Sequence, residues 1–213
     1  MSSFPKIAII DYQMSNLFSV KHACDAVGLN SEITSDPQVV LHAEGAILPG
    51  VGAFGDAMKN LRRLKLIAAI QNFTKSGRKF MGVCLGMQLL FSKSEEFGLH
   101  AGLSILPGKV VKFNKDNHNI KVPQIGWNKI YHPKNKKNAW TKTPLSEIKN
   151  NDDFYFVHSF FVVPDHAPDI LAMTNYEGVE YCSVISYNNI FAVQFHPEKS
   201  GLVGLKIYRN WGN

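Results

Sequence analysis

Two short stretches carry side chains suited to covalent chemistry. In "MGVCLGMQLL" (81–90) an apolar run ends at Cys84, with Gly82 two residues before the thiol and Gly86 two residues after it. The apolar pattern then resumes at a different spacing. A tight strand-to-helix turn crowds the backbone, and glycines around the nucleophile relieve that crowding. Such a turn lifts the side chain out of the sheet and aims the first amides of the helix at whatever the sulfur attacks. A helix N-terminus favours a thiolate over a thiol, and the Leu85 amide would supply one oxyanion donor. Cys24, on the apolar face of a helical segment, and Cys182, in a strand-like run, read instead as small buried apolar residues.

A thiolate nucleophile needs a base, and the base needs an orienting group. Of eight histidines, His196 has the right frame. "FAVQFHPE" is an apolar run stopped by Pro197, which puts His196 at the end of a strand. Glu198 follows across a turn fixed by the proline. Chemistry in open parallel sheets gathers beyond the carboxyl ends of the strands, where Cys84 is also expected. A carboxylate at that offset can hold one imidazole nitrogen and leave the other to the sulfur. Cys84 is therefore expected as nucleophile, His196 as general acid/base and Glu198 as its orienter. With no Cys/His cluster at ligand spacing, neither a metal nor a cofactor is expected.

The elements that must position these groups alternate in the first half. "KIAII" (6–10), "EIT", "GAILPG" (45–50) and "RKFMGV" read as strands. Between them, 16–28 is a helix with Leu17, Val20, Cys24 and Val27 on one face, and 61–77 is a second helix. The residues from Leu85 to about 92 make a third. This alternation predicts an α/β fold with a central, mostly parallel sheet flanked by helices. The second half is β-rich in "GKVVKF", "FYFVHSFFVVP", "ILAMTNY", "EYCSVISYNN" and "IFAVQFHP", which predicts additional antiparallel strands. "SGLVGLKIYRNWG" closes it as a helix. With no repeat and no linker, residues 1–213 read as one domain.

Composition narrows the class. The 213 residues are 45% hydrophobic and 19% charged, enough apolar content for a buried core. No apolar run approaches membrane-spanning length. "MSSFPKIAII" reads as a first strand and not a signal peptide. Three cysteines without paired spacing point to a reducing, cytoplasmic compartment. The net charge of +6 owes much to lysines between 112 and 144, which read as solvated loops and not as a nucleic-acid surface.

"GVCLGMQLL" together with "QFHPEKS" resembles the class I (triad) glutamine amidotransferases, whose members hydrolyse glutamine through a cysteine thioester and pass ammonia to a synthase. "IIDYQMSNLFSVKHA", "ILPGVGAFGDAM", "VPQIGWNKI", "YFVHSFFV" and "VQFHPEKSGLVGLKIYRNW" are similar to the glutaminase subunits of imidazole glycerol phosphate synthases within that family. The resemblance implies the amidotransferase fold and a heterodimer with a (β/α)8-barrel cyclase. That pair would form imidazole glycerol phosphate and an aminoimidazole carboxamide ribotide in histidine biosynthesis. It implies that Gly50, Val51 and Gly52 form the loop opposite the thiol, with a backbone amide of Val51 or Gly52 as second oxyanion donor. Gly50, Gly52, Gln88, His158 and Ser159 would hold the glutamine substrate. Asn16, Trp127 and Lys199 would face the partner. The sequence departs from the family pattern at Gln13 and Ser15, where relatives carry glycine, and at Gln124, where many carry histidine. Alternatives are the same glutaminase feeding a different synthase, in surface-sugar amidination, a catalytically silent docking subunit, or a free-standing cysteine protease.

Overall fold

In a computed structural model of the chain, residues 6–113, 120–134, 136 and 139–213 are described. The 114–119 part of the lysine-rich stretch lies outside them. The apolar runs of the first half form β1 (Ile7–Ile10), β2 (Ser31–Thr34), β3 (Gly45–Gly50) and β4 (Lys79–Cys84). Helix α1 (Leu17–Ala26) is capped by Asn16, whose Oδ1 accepts from the Ser19 N–H at 3.4 Å. The next, α2 (Pro37–His42), starts at a proline behind the capping side chain of Asp36.

The helix expected over 61–77 is two helices. Helix α3 (Phe54–Arg63) buries Phe54, Ala57, Met58 and Leu61, and α4 (Leu66–Lys75) buries Leu66, Ala69, Ile70 and Phe73. Lys65 separates them at φ +57°, a left-handed conformation that no helix continues through. The helix after Cys84 is also shorter than expected. Helix α5 (Leu85–Leu89) is a single turn with every residue buried. The chain then enters a four-stranded sheet through β5 (Phe91–Ser94), with β6 (His100–Ala101) and β7 (Leu106–Lys112).

The second half is β-rich as expected, with one element the sequence did not announce. Strand β8 (Gln124–Lys129) pairs antiparallel with β9 (Asp153–His158) in a separate ribbon. The run "FYFVHSFFVVP" breaks at Ser159, because β9 stays in that ribbon while β10 (Phe160–Pro164) joins β7. The lysine-rich stretch is therefore not all loop: Lys129 lies on β8 and pairs with Asp153 at 3.0 Å, and Trp140 is buried with its indole N–H on the Leu171 carbonyl.

Strands β11 (Ile170–Tyr176), β12 (Val179–Tyr187) and β13 (Ile190–Val193) complete the main sheet, in the order β11-β12-β13-β4-β3-β1-β2. The pairs from β13 to β2 are parallel, and β12 and β11 run antiparallel at one edge. Alternation along β1 sends Ala8 and Ile10 to the core under α3, α4 and α5, and Ile7 and Ile9 to the opposite core. That second core also takes α1 and α6 (Gly201–Gly212), through Val20, Cys24, Ile207 and Tyr208. Each fully buried aliphatic or aromatic side chain there contributes roughly 1.5–3 kcal/mol. Among the described residues, no helix is long and apolar enough to cross a membrane.

The register positions the reactive residues. Val193 pairs with Val83, and Gly50 pairs with Cys84. Three adjacent parallel strands therefore deliver His196, Cys84 and the loop beginning at Val51 to the same end of the sheet.

Candidate active site

Cys84 ends β4 at φ +54° and ψ −110°, a backbone region that side chains other than glycine avoid. Strain of this kind costs about 1–3 kcal/mol and persists only where the surroundings impose it. Here β3 and β13 hold the strand on both sides. A β-carbon on Gly86 would come within 1.7 Å of the Leu48 carbonyl oxygen, so α5 can lie against β3 only with glycine there. Gly82 is less constrained, with Met87 backbone atoms at 3.1 Å from such a carbon. The first amides of α5, Leu85 among them, have no partner within the helix and are available to a ligand.

His196 is fixed by its backbone. Its N–H donates to the Tyr155 carbonyl at 2.9 Å, and its carbonyl accepts from Ser200 Oγ at 2.7 Å. Its Nδ1 lies 2.7 Å from Glu198 Oε1, and both side chains are almost wholly buried. Nδ1 is thereby spent on the carboxylate, and Nε2 is the nitrogen left for Cys84. Burial alone would lower the imidazole pKa. The charge of the neighbouring Cys84, then the hydrogen bond and charge of Glu198, outweigh burial and raise it to about 10. The site thus favours the charged imidazolium at His196. Tyr208 on α6 is coupled to the same carboxylate, and burial first, then Glu198, raise its phenol well above the ordinary value.

The loop on the other flank of β4 is differently held. The Val51 N–H donates to the Met14 carbonyl at 3.0 Å, so it does not face the sulfur. Gly52 follows at φ +96°. Val51 is 38% exposed. Of the expected donors, Leu85 and Gly52 line the cleft, and the Val51 amide is engaged by Met14. Gly50 does not line the cleft: a β-carbon there would meet Tyr12 Oη at 1.9 Å, so packing of the buried Tyr12 explains the glycine.

A cleft of about 390 Å³ opens at Cys84, lined by Val51, Gly52, Leu85, Gln88, Glu96, His158, Ser159 and Lys199 among others. A larger one, about 520 Å³, lies by Lys79 and Trp211 at the other end of the strands and holds none of the expected reactive groups. Gln88 is buried, with Nε2 donating to the Phe160 carbonyl at 2.8 Å and to Gln194 Oε1 at 3.0 Å. His158 is pinned by the Phe160 carbonyl at Nδ1 and lies 3.2 Å from Tyr181 Oη at Nε2. Burial lowers its pKa to about 4, against the Phe160 hydrogen bond, so it stays neutral. Gln124 accepts from that same Tyr181 hydroxyl at 2.9 Å. Among the described residues, no three His, Cys, Asp or Glu side chains gather to hold a metal.

Two residues beside the nucleophile's cleft were not singled out from the sequence. Glu96 accepts from the Phe54 N–H at 2.6 Å, and burial raises its carboxyl pKa. Nothing in "SKSEEFG" marks it out from a surface glutamate. Gln194 places Nε2 3.6 Å from Cys84 Sγ. It stands inside "QFHPE", one residue beyond β13, and only its place in that motif marks it.

Trp127 and Lys199 converge on one ring. Trp127 is 60% exposed and meets Tyr155 edge-on at 6.2 Å, and Lys199 Nζ lies 5.9 Å from the centre of that ring. Asn16 serves the α1 cap, and α1 packs against the 197–199 turn. Phe18, Ile125 and Leu202 are also exposed apolar side chains. At the departure from the family pattern, Gln13 adopts φ +67°, with its N–H on Asp11 Oδ1 at 2.7 Å.

Residues 8–211 match the class-I glutamine amidotransferase family. Imidazole glycerol phosphate synthase subunit HisH of Geobacter sulfurreducens is 45% identical over 211 residues, covering 97% of this chain and 98% of its own. The protein of the same name from Moorella thermoacetica is 46% identical over 206 residues, covering 97% and 93%. Among solved structures, that of PurLQS from Thermotoga maritima superposes with a TM-score of 0.71 at 18% identity, over 98% of this chain and 97% of that one. That last likeness concerns the fold alone.

Proposed function

The chain belongs to the class-I glutamine amidotransferase family, and from that premise we propose that it is the glutaminase subunit of an imidazole glycerol phosphate synthase, acting in histidine biosynthesis. The observation that carries the reading is the strained Cys84 elbow beside a buried His196–Glu198 pair. A docking subunit without chemistry has no use for a strained thiol or for a buried imidazole held on a carboxylate.

Glutamine enters the cleft with its carboxamide at Cys84. Glu96 offers the α-ammonium a carboxylate, and His158 and Ser159 line the amino-acid end. The thiolate attacks the carboxamide carbon, and the oxygen takes the negative charge beside the Leu85 amide. A second donor forms when the peptide between Gly50 and Gly52 turns, releasing Val51 from Met14. That hydrogen bond is worth about 1 kcal/mol net, whereas one oxyanion donor contributes roughly 3–4 kcal/mol to the barrier. The imidazolium of His196 protonates the departing nitrogen, ammonia leaves, and a thioester remains. His196 then takes a proton from water, which attacks the thioester, and glutamate leaves with the sulfur restored.

The ammonia is passed to a (β/α)8-barrel cyclase bound over Asn16, Trp127 and Lys199, where the exposed Phe18, Ile125 and Leu202 supply further apolar area. We place this single-domain subunit in the cytoplasm, a reading its three unpaired cysteines support. The test is labelling of the purified chain with a glutamine-mimicking electrophile, followed by peptide mapping. Modification at Cys84 that glutamine protects against is expected. Modification only at Cys24 or Cys182, or none, would overturn the reading.

A further inference from the structure

A line of carboxamides beside the nucleophile has a polarity that one backbone group dictates. Its anchor is the Phe160 carbonyl, which can only accept. Gln88 sets its terminal group 2.8 Å from that oxygen, so the atom there must be the nitrogen. The same Nε2 donates its other hydrogen to Gln194 Oε1 at 3.0 Å. Gln194 therefore turns its own nitrogen the other way, and that Nε2 lies 3.6 Å from Cys84 Sγ. Carboxamide oxygen and nitrogen are alike in shape, and only such a network distinguishes them. Gln194 is wholly buried and Gln88 nearly so, which leaves no water to satisfy a reversed amide.

We propose that Gln194 is a catalytic residue whose Nε2–H donates to the Cys84 sulfur, with Gln88 as the positioning residue that sets its polarity. The inference rests on the glutaminase reading and adds a group to it. A hydrogen bond to a charged acceptor is stronger than one to a neutral acceptor, so the donor favours the thiolate over the thiol. It acts twice. Before attack it holds the sulfur as an anion. When water displaces the sulfur from the thioester, the carbon–sulfur bond breaks with its electron pair going to sulfur, and the same N–H receives that charge.

The other groups facing the sulfur do not replace it. The Val157 carbonyl, 3.9 Å away, accepts from the thiol and so favours the protonated form. Among the described residues, His196, Tyr12 and Tyr181 interact electrostatically with Cys84, and Glu96, His158 and Lys199 line the same cleft. Burial holds both tyrosines neutral, with phenol pKa values well above the ordinary. His196 supplies the charge, and Gln194 is a neutral donor independent of it.

The test is the pH dependence of Cys84 alkylation by iodoacetamide in the full chain without substrate, with the modified peptide identified by mass spectrometry. Cys24 and Cys182 are buried, and burial pushes the Cys24 thiol up to about 11, so they do not obscure the signal. In Gln194→Met the alkylation midpoint is expected to rise by about one pH unit, a tenfold loss of thiolate at fixed pH. Gln194→Glu, which sets an anion beside the sulfur, should move it further. Gln88→Met should move it in the same direction by less, whereas a residue that only grips glutamine would leave substrate-free alkylation untouched. An unchanged midpoint in a Gln194→Met chain that melts like the parent would overturn the proposal. Should that variant fail to fold, an unchanged midpoint in Gln88→Met would overturn it. The glutaminase reading fails separately, if the unaltered chain with its cyclase releases no glutamate.

Discussion

The two flanks of β4 are built to different tolerances. On the β13 side, His196 is held by its backbone N–H, its carbonyl and its Nδ1, and is almost wholly buried with Glu198. On the β3 side, Val51 is exposed, its amide is spent on Met14, and Gly52 sits at positive φ. On the proposed reading, the acid/base pair is therefore assembled before any ligand arrives, and the second oxyanion donor is not. A buried ion pair has to be complete, since an unpaired charge there costs several kcal/mol. A peptide at the surface can exchange one hydrogen bond for another at little cost. Control of the reaction is therefore proposed to lie in the 50–52 loop and its chemistry at Cys84, His196 and Glu198.

Five substitutions break or sharpen that contrast. Cys84→Ser should cause the largest loss, roughly 10⁵-fold or more in glutamine-dependent turnover. Synthesis by the complex from free ammonia should persist, and an assay with ammonium salts in place of glutamine checks this. Glu198→Gln should cost about 10³–10⁴-fold, because the third member of a triad orients and does not react. It should also move the basic limb of kcat/KM. The proton that His196 gives to the leaving nitrogen is lost as pH rises through the imidazole value of about 10. Removing Glu198 removes contributions that raise that value, so the limb should shift to lower pH. A limb that stays in place or moves up would contradict the assigned role.

Gly86→Ala comes next and acts on stability. Its β-carbon would strike the Leu48 carbonyl, a backbone atom with nowhere to move, at a cost of about 3 kcal/mol. Urea unfolding of this variant should show a lower midpoint, whereas Gly82→Ala should lose less. Lys199→Ala is the smallest change. It should weaken activation by the cyclase roughly three- to tenfold and leave the basal rate of the isolated chain nearly untouched, as expected for a charge at an interface rim. Equal loss in both states would place Lys199 in the triad's own support instead.

The assembled flank was largely legible in the sequence, and the adjustable one was not. Glycines around Cys84 and a proline after His196 are local signals, and the alternation of strands and helices implied that both residues emerge at one end of the sheet. The one-turn α5 was overestimated because every residue of it is buried, so no polar face marks where the helix stops. The break at Lys65 has no signature, since a lysine in the left-handed region looks like any other lysine. The ribbon of β8 and β9, the carboxylate of Glu96 in the cleft and the bond from Val51 to Met14 all depend on contacts between distant parts of the chain. The resemblance implied a loop at residues 50–52, but not which carbonyl its amide would choose.

The central claim, that this subunit carries a complete triad and an incomplete oxyanion hole, is tested most directly by glutamate release from the isolated chain, with and without the purified histidine-pathway cyclase and its nucleotide ligand. The isolated chain should hydrolyse glutamine poorly, and the loaded cyclase should raise the rate by at least about a hundredfold, the effect of one restored donor. Full activity in the isolated chain would contradict the claim.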